Sequence, residues 1–309
     1  MKTAFIFPGQ GSQVVGMGKE FYDNFPVARR VFEEVDEALK QKLSNIIFNG
    51  PTEELTLTAN AQPAIMVTSI AMLRTLMHET GKKITDLCEY VAGHSLGEYT
   101  ALCAAEAISL SDTAKLVKLR GESMQNAVAP GLGGMAAVLG MDLDNLANIL
   151  KQVNKNGLLC QIANDNSVGQ IVISGHIEAI DLACAQIAAA GNKAVKLQVS
   201  APFHCSLMDD VKIIMQEALN NCKIIEPKVP VISNIMASPI TTVKQIIECL
   251  VEQISGRVRW RETIINLNKL GVSNITEVGA GKVLNGINKR IDLELSLNNI
   301  NSIKDVAQG

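Results

Sequence analysis

The stretch Cys88–Glu106, CEYVAGHSLGEYTALCAAE, decides how the chain is read. Glu89 to Ala92 has the character of a short buried strand, and Ser95 to Ala107 that of a helix rich in Leu and Ala. The turn between them, Gly93-His94-Ser95-Leu96-Gly97, is G-x-S-x-G with strand before and helix after, the setting in which this motif carries a nucleophilic serine. A serine on so tight a turn has strained backbone angles, and its neighbours two positions away must lack side chains to avoid collision. The turn also puts Ser95 at a helix N-terminus, where free N–H groups favour negative charge. The N–H of Leu96 can then donate to an oxyanion. A plain structural Gly/Ser turn is the competing reading, and the flanking strand and helix pattern speaks against it.

Composition sets the bounds. A chain of 309 residues with 47% hydrophobic and 19% charged residues can bury a large core, in one big domain or two modest ones. A net charge of −3 implies no polyanion, so nucleic acid is not an expected partner. Seven cysteines form no C-x-x-C pair, which reads as reduced thiols in a cytoplasmic protein with no metal site. The N-terminus has too short an apolar run for a signal peptide, and no stretch is long and apolar enough for a membrane span.

Before the elbow, Thr3 to Phe7 reads as a buried strand followed by the loop Pro8-Gly9-Gln10-Gly11-Ser12-Gln13. A dinucleotide fingerprint would need Gly at Val14, and no lysine completes a P-loop. The loop is either a solvated turn or a backbone N–H, that of Gln10, aimed at a ligand. Asn24 to Leu43 reads as an amphipathic helix whose acidic run, Glu33 to Glu37, is a solvated face. Pro63 suits a first helical position, with a buried helix from Ala64 to Glu79.

After the elbow, Ser111 or Asp112 is expected to cap a helix running to about Val128. Arg120 falls on its apolar side, four residues from both Leu116 and Met124. A guanidinium stays charged when buried and needs an anion. It is either an internal salt bridge or a snorkelling side chain, or it awaits a carboxylate on a substrate. Pro130 to Gly134 marks a boundary, after which strands and helices follow in the order βαββαβ, a ferredoxin-like unit inserted in the larger domain. The expected division is residues 1–128 and 199–309 for the large domain and 129–198 for the small one. Asn164 to Ser167 reads as the turn between the middle strands, either a simple turn or one whose carboxamides face a cleft. Beyond it, His204 is left as the base for Ser95 by elimination: His94 reaches back poorly, His78 ends a helix, and His176 follows a small-domain strand. Gln253 sits at the edge of an apolar helix stripe, and the C-terminal tail reads as weakly structured.

These stretches together resemble the malonyl-CoA:acyl carrier protein transacylase family over nearly the whole length. The resemblance rests on FPGQGSQ around residue 10, TANAQPA ahead of Ala64, GHSLGEYTAL around Ser95, RGESMQ at Arg120, GQIVISG at 169–175, PFHCSLM around His204, VRW at 258–260 and EVGAGKVL at 277–284. Ala280 departs from the proline common in that last loop. The family implies an α/β fold, with an α/β-hydrolase-like large domain carrying the ferredoxin-like insert and the site between them.

It also implies a ping-pong exchange. His204 activates Ser95, which attacks malonyl-CoA; the N–H groups of Gln10 and Leu96 hold the oxyanion; the thiol of the acyl carrier protein then takes the malonyl group, for fatty-acid synthesis. The backbone carbonyl of Gln253 orients His204 in place of an acidic third member. Arg120 pairs with the malonyl carboxylate, Met124 lines the same pocket, and Phe203 before the histidine goes with malonyl rather than methylmalonyl units. No cofactor is implied, and a monomer is expected. Lys193, Lys196, Lys282, Lys289 and Arg290 are candidates for docking an acidic carrier, although each also suits a solvated face. The competing classes are a serine esterase or thioesterase, which Arg120 argues against, and a docking subunit without activity, which the joint presence of Ser95, His204 and Arg120 argues against. The start at Met1 and the absence of long linkers favour a stand-alone enzyme over a domain cut from a synthase.

Overall fold

The computed structural model describes residues 1–155 and 157–306. The fold is mixed α/β, built on two sheets. The first has six strands: β1 (Lys2–Phe7), β2 (Tyr90–Gly93), β7 (Val231–Ile232), β8 (Pro239–Ile240), β9 (Val272–Val278) and β10 (Ser296–Ile300), in the order β10-β9-β1-β2-β7-β8. All pairs are parallel except β7 with β8. Alternate residues serve opposite faces. Phe5, Phe7 and Val91 pack in the cluster that holds helices Thr58–Thr80 and Leu96–Ala104, whereas Ala4, Ile6 and Ala92 pack with Trp260, Ile264 and Leu267 of helix Trp260–Lys269. The pairing of Phe7 with Gly93 brings the ends of β1 and β2 level, so the Pro8–Gln13 loop lies beside the elbow.

The second sheet is antiparallel, with β3 (Gly133–Leu139), β4 (Cys160–Ser167), β5 (Gln170–His176) and β6 (Lys193–Lys196) in the order β4-β5-β3-β6. Helices Leu143–Val153 and Ile177–Ala189 cover one face with a separate apolar core that includes Val138, Leu146, Ile171 and Ile180. Its β4 edge is fastened to the first sheet's side of the molecule. Val258 N–H donates to the Ala163 carbonyl and Asp165 N–H to the Val258 carbonyl, while Arg261 donates twice to the buried Asp165 carboxylate.

Several expectations need correction. Pro63 lies inside helix Thr58–Thr80 rather than at its start. The preceding turn is held by tertiary contacts: Asn60 accepts from Gln41 and Lys118 and donates to the Glu54 carbonyl. The missing proline N–H removes a single helical bond there. The helix carrying Arg120 is capped by Ser109, whose hydroxyl accepts from Asp112 N–H, and spans Leu110–Asn126. The expected helix from Asn24 to Leu43 is Pro26–Leu39, and its Asp36 is not solvated but buried against Ser44, bonding both the N–H and the hydroxyl. Asn164 to Ser167 belong to β4, with the turn displaced to Val168 and Gly169. The tail is not loose up to Val306: Ser296–Ile300 adds the edge strand β10 to β9.

The elbow glycines follow from space. A Cβ on Gly93 would run into the Gly97 carbonyl, and one on Gly97 into the Phe7 carbonyl, both backbone atoms that cannot rotate aside. Gly93→Ala is therefore expected to cost about 2–3 kcal/mol or more by urea unfolding. Gly286→Ala, in helix Val283–Asn288 with nothing near the added methyl, should be neutral or stabilise by up to about 1 kcal/mol.

Candidate active site

Ser95 joins β2 to helix Leu96–Ala104 with φ 54° and ψ −112°, a strained geometry for a residue with a side chain. The strain is held by neighbours. Ser95 N–H donates to Asn234 Oδ1 at 2.7 Å, and the Asn234 amide donates to the Gly93 carbonyl at 2.7 Å. At the first turn of the helix, Gly97 and Glu98 N–H bond back to the His94 and Ser95 carbonyls. Leu96 N–H has no protein acceptor among the described residues, and neither does Gln10 N–H in the adjoining loop.

Ser95 Oγ lies 2.8 Å from His204 Nε2. His204 Nδ1 faces two carbonyls, Gln253 O at 2.9 Å and Gly256 O at 3.2 Å, so Nδ1 carries the proton and Nε2 is the acceptor of the neutral ring. Burial first, and then the Arg120 cation, lower the His204 pKa from its ordinary 6.5 to about 3, against the pull of the Gln253 carbonyl. The imidazole is thus held unprotonated and able to accept the serine proton.

Arg120 is 1% exposed. One terminal nitrogen donates to Gln62 Oε1 at 2.9 Å; the other donates to Gln253 Oε1 at 2.9 Å and to Ser95 Oγ at 3.1 Å. Its Cζ sits 5.7 Å from the Tyr99 ring centroid, and its Nε has no partner among the described residues. No Asp or Glu among the described residues pairs with it directly. Burial pulls its pKa down, but from so high a starting value that the guanidinium stays charged. Of the two readings open to Arg120, the internal salt bridge is absent among the described residues.

Other predicted positions fall in place around this centre. A cleft of about 420 Å³ between the two sheets is lined by Ser95, Gln10, Arg120 and His204 together with Met124 and Phe203. The second sheet supplies the opposite wall through Met135, Asn164 and Val172. Gln253 reaches the site twice, through its carbonyl to His204 and through its side chain to Arg120, Ser95 O and Glu98. Of the basic candidates, Lys196 pairs with Asp181, and Arg290 donates to Gln170. The seven cysteines are all free. No helix is long and apolar enough to cross a membrane, and no metal-binding cluster occurs among the described residues.

Three polar residues of the site were not singled out from sequence, Gln62, Glu98 and Asn234, whereas the Asn164 and Asn166 carboxamides do line the cleft, the second of the two readings of that segment. Glu98 is fully buried, and its Oε2 accepts from Gln253 Nε2 at 2.7 Å and Asn234 N at 3.1 Å. Asn166 of β4 bonds His94 Nε2 at 2.9 Å, tying the elbow to the second sheet, while the His94 ring packs 5.6 Å from Trp260. His94 is thereby turned away from Ser95, as its place in the elbow suggested. Gln62 and Glu98 stood in stretches already marked as informative, with a buried polar side chain as the available signal.

The chain matches the family model described as acyl transferase domain over residues 4–284. It is 48% identical over 295 residues to a malonyl CoA-acyl carrier protein transacylase of Bacillus subtilis (strain 168), covering 95% of this chain and 92% of the relative. Among solved structures it is similar to an acyl-carrier-protein-S-malonyltransferase from Bartonella henselae, with 48% identity, a TM-score of 0.97 and coverage of 100% and 98%. It is also similar to a malonyl-transacylase in complex with its type II PKS acyl-carrier protein, with 36% identity, a TM-score of 0.95 and coverage of 100% and 98%. With the serine, the histidine and the buried arginine on one cleft, the chain belongs to the acyl transferase domain family, among the malonyl CoA-acyl carrier protein transacylases.

Proposed function

We propose that this chain transfers the malonyl group from malonyl-CoA to the phosphopantetheine thiol of acyl carrier protein, loading the carrier for fatty-acid synthesis. One observation carries the reading: Ser95 Oγ is bonded at once to a neutral histidine and to a buried arginine that lacks a carboxylate. A nucleophile, a base and a vacant anion partner meet within one acyl group's reach. Water and a thiol attack the same ester, so the elbow alone fits a serine esterase as well. A buried cation costs too much to keep for an uncharged ester, which favours an acyl group that ends in a carboxylate.

In this reading His204 takes the Ser95 proton as Oγ bonds the thioester carbonyl carbon. The tetrahedral oxyanion accepts from the N–H groups of Gln10 and Leu96. The C–S bond then breaks, and the proton on His204 passes to the departing CoA sulfur. In the second half the carrier thiol gives its proton to His204, its sulfur bonds the malonyl carbon, and the proton returns to Ser95 as the C–O bond breaks. The Gln253 carbonyl fixes the imidazole tautomer, Arg120 grips the malonyl carboxylate, and Met124 and Phe203 bound the acyl pocket. In the same reading the enzyme is a monomer in the cytoplasm that calls on no resident cofactor. A structural relative bound to its acyl-carrier protein supports the carrier as partner.

The fold reading goes with it: an α/β-hydrolase-like domain, residues 1–128 and 199–309, with a ferredoxin-like insert, residues 129–198. The parallel core sheet and the βαββαβ order with its own apolar core support this division.

Ser95→Ala is expected to abolish the covalent malonyl adduct seen by intact-mass measurement after mixing with malonyl-CoA; an adduct that survives removes Ser95 as nucleophile. Arg120→Ala should lower malonyl transfer by about 10²-fold or more, the loss of about 3 kcal/mol of charge-assisted bonding, while acetyl-CoA is tolerated. Equal falls for both acyl groups would defeat the carboxylate role. For His204, the folded pKa is below the unfolded 6.5, so its contribution to stability is complete above 6.5 and is lost as pH falls toward about 3. The acylation rate should accordingly not drop as pH falls through 6.5, and NMR titration of Arg120→Ala should show His204 protonating at higher pH than in the parent.

A further inference from the structure

Glu98 is a fully buried carboxylate three residues after the nucleophile, and it bonds neither Ser95 Oγ nor His204. A buried carboxylate is costly unless donors satisfy it. Other buried carboxylates close local contacts: Asp36 on Ser44, Asp165 on Arg261, and Glu277 on the N–H groups of Leu284 and Asn285. Glu98 instead connects to the acyl site through Gln253. Its Oε1 has no partner, and burial pushes its carboxyl up to about 7, against the pull of Gln253, Asn234 and Arg120.

The link is directional. A carboxamide has a donor end and an acceptor end. The Gln253 Nε2 hydrogens go to Glu98 Oε2 and to the Ser95 carbonyl at 3.0 Å. The Ser95 carbonyl can only accept and the Glu98 oxygen facing Gln253 accepts as well, so Gln253 Oε1 must face the other way, where Arg120 donates to it. Turned over, the carboxamide would set N–H against the N–H of Arg120. The Gln253 carbonyl that holds His204 is fixed separately, by the end of helix Val243–Glu252, where Gln253 N–H bonds the Cys249 carbonyl at 2.9 Å. We infer that Glu98 is a positioning residue for acyl selection: by fixing which way round the Gln253 side chain lies, it aims the Arg120 guanidinium and balances its buried charge. The effect falls on recognition of the carboxylate and leaves the Ser95–His204 pair in place.

This inference rests on the malonyl-transfer reading and is tested on the full chain. Glu98→Gln removes the charge at nearly constant shape, and its amide both donates and accepts, so one of the three contacts that hold Gln253 one way round, beside those to the Ser95 carbonyl and Arg120, is loosened. Expected is a fall of about tenfold or more in kcat/KM for malonyl-CoA, carried by KM, with acetyl-CoA changed less than about twofold. In a Gln253→Met background the same Glu98→Gln change should have no further effect on malonyl selectivity. Equal falls for both acyl groups, an unchanged malonyl KM, or a full effect in the Gln253→Met background would overturn the inference. If Glu98→Gln does not fold, Glu98→Asp, which keeps the charge but shortens its reach to Gln253, decides: a larger loss for malonyl-CoA than for acetyl-CoA supports the relay, and equal loss for both acyl groups refutes it. Failure of the underlying reading is distinct, because the unaltered protein would then release no CoA from malonyl-CoA when mixed with the carrier.

Discussion

A guanidinium buried without a carboxylate is the constraint around which this site is arranged. Arg120 is satisfied by neutral oxygens of Gln62, Gln253 and Ser95 and by the Tyr99 ring, with its Nε unpaired. Desolvating a cation in this way is expensive, and each neutral contact offsets a part of the cost. The arrangement is stable enough to fold and incomplete enough to accept an anion. The same charge acts on His204, helping to keep the imidazole neutral beside the serine it must deprotonate.

The strained serine is held by the same network. Asn234 accepts the Ser95 N–H and donates to Gly93, Gln253 donates to the Ser95 carbonyl, and Glu98 binds both Asn234 and Gln253. Strain at a left-handed φ persists where surroundings over-determine it. Here the elbow, the Asn234 loop and the end of helix Val243–Glu252 do so together, although they are far apart in the chain. Nucleophile and cation thus share a few side chains, while the base is oriented by the backbone carbonyls of Gln253 and Gly256.

Much of this was legible in the residues, for physical reasons. The elbow is a local motif whose glycines are demanded by backbone collisions within five residues. Arg120 stood out because a charge on an apolar helical face breaks the expected pattern, and His204 because few histidines compete for the role. Asn234 was not legible, and Gln62 only as a polar residue beside an apolar helix: each is ordinary until tertiary folding sets it beside a distant partner or against a buried charge, whereas Asn166 stood in a segment already read either as a simple turn or as facing a cleft. The same cause explains the boundary errors. Asn60 holds a helical turn ahead of Pro63, and Asp36 is buried by Ser44, through contacts that periodicity does not encode. The edge strand Ser296–Ile300 is too polar to read as a strand alone and is recruited by pairing with β9.

The two sheets divide the labour. Nucleophile, base and guanidinium come from segments that pack on the parallel sheet, whereas Met135 and Val172 reach the cleft from the antiparallel one. The antiparallel sheet has its own apolar interior, but Met135 and Val172 belong to the same apolar cluster as Leu96, Met124 and Phe203, so a change in the bulk of this wall is felt at the elbow. Widening the cleft from this side to admit a longer acyl group would therefore have to be matched by repacking beside the nucleophile, and a redesign must treat wall and elbow together.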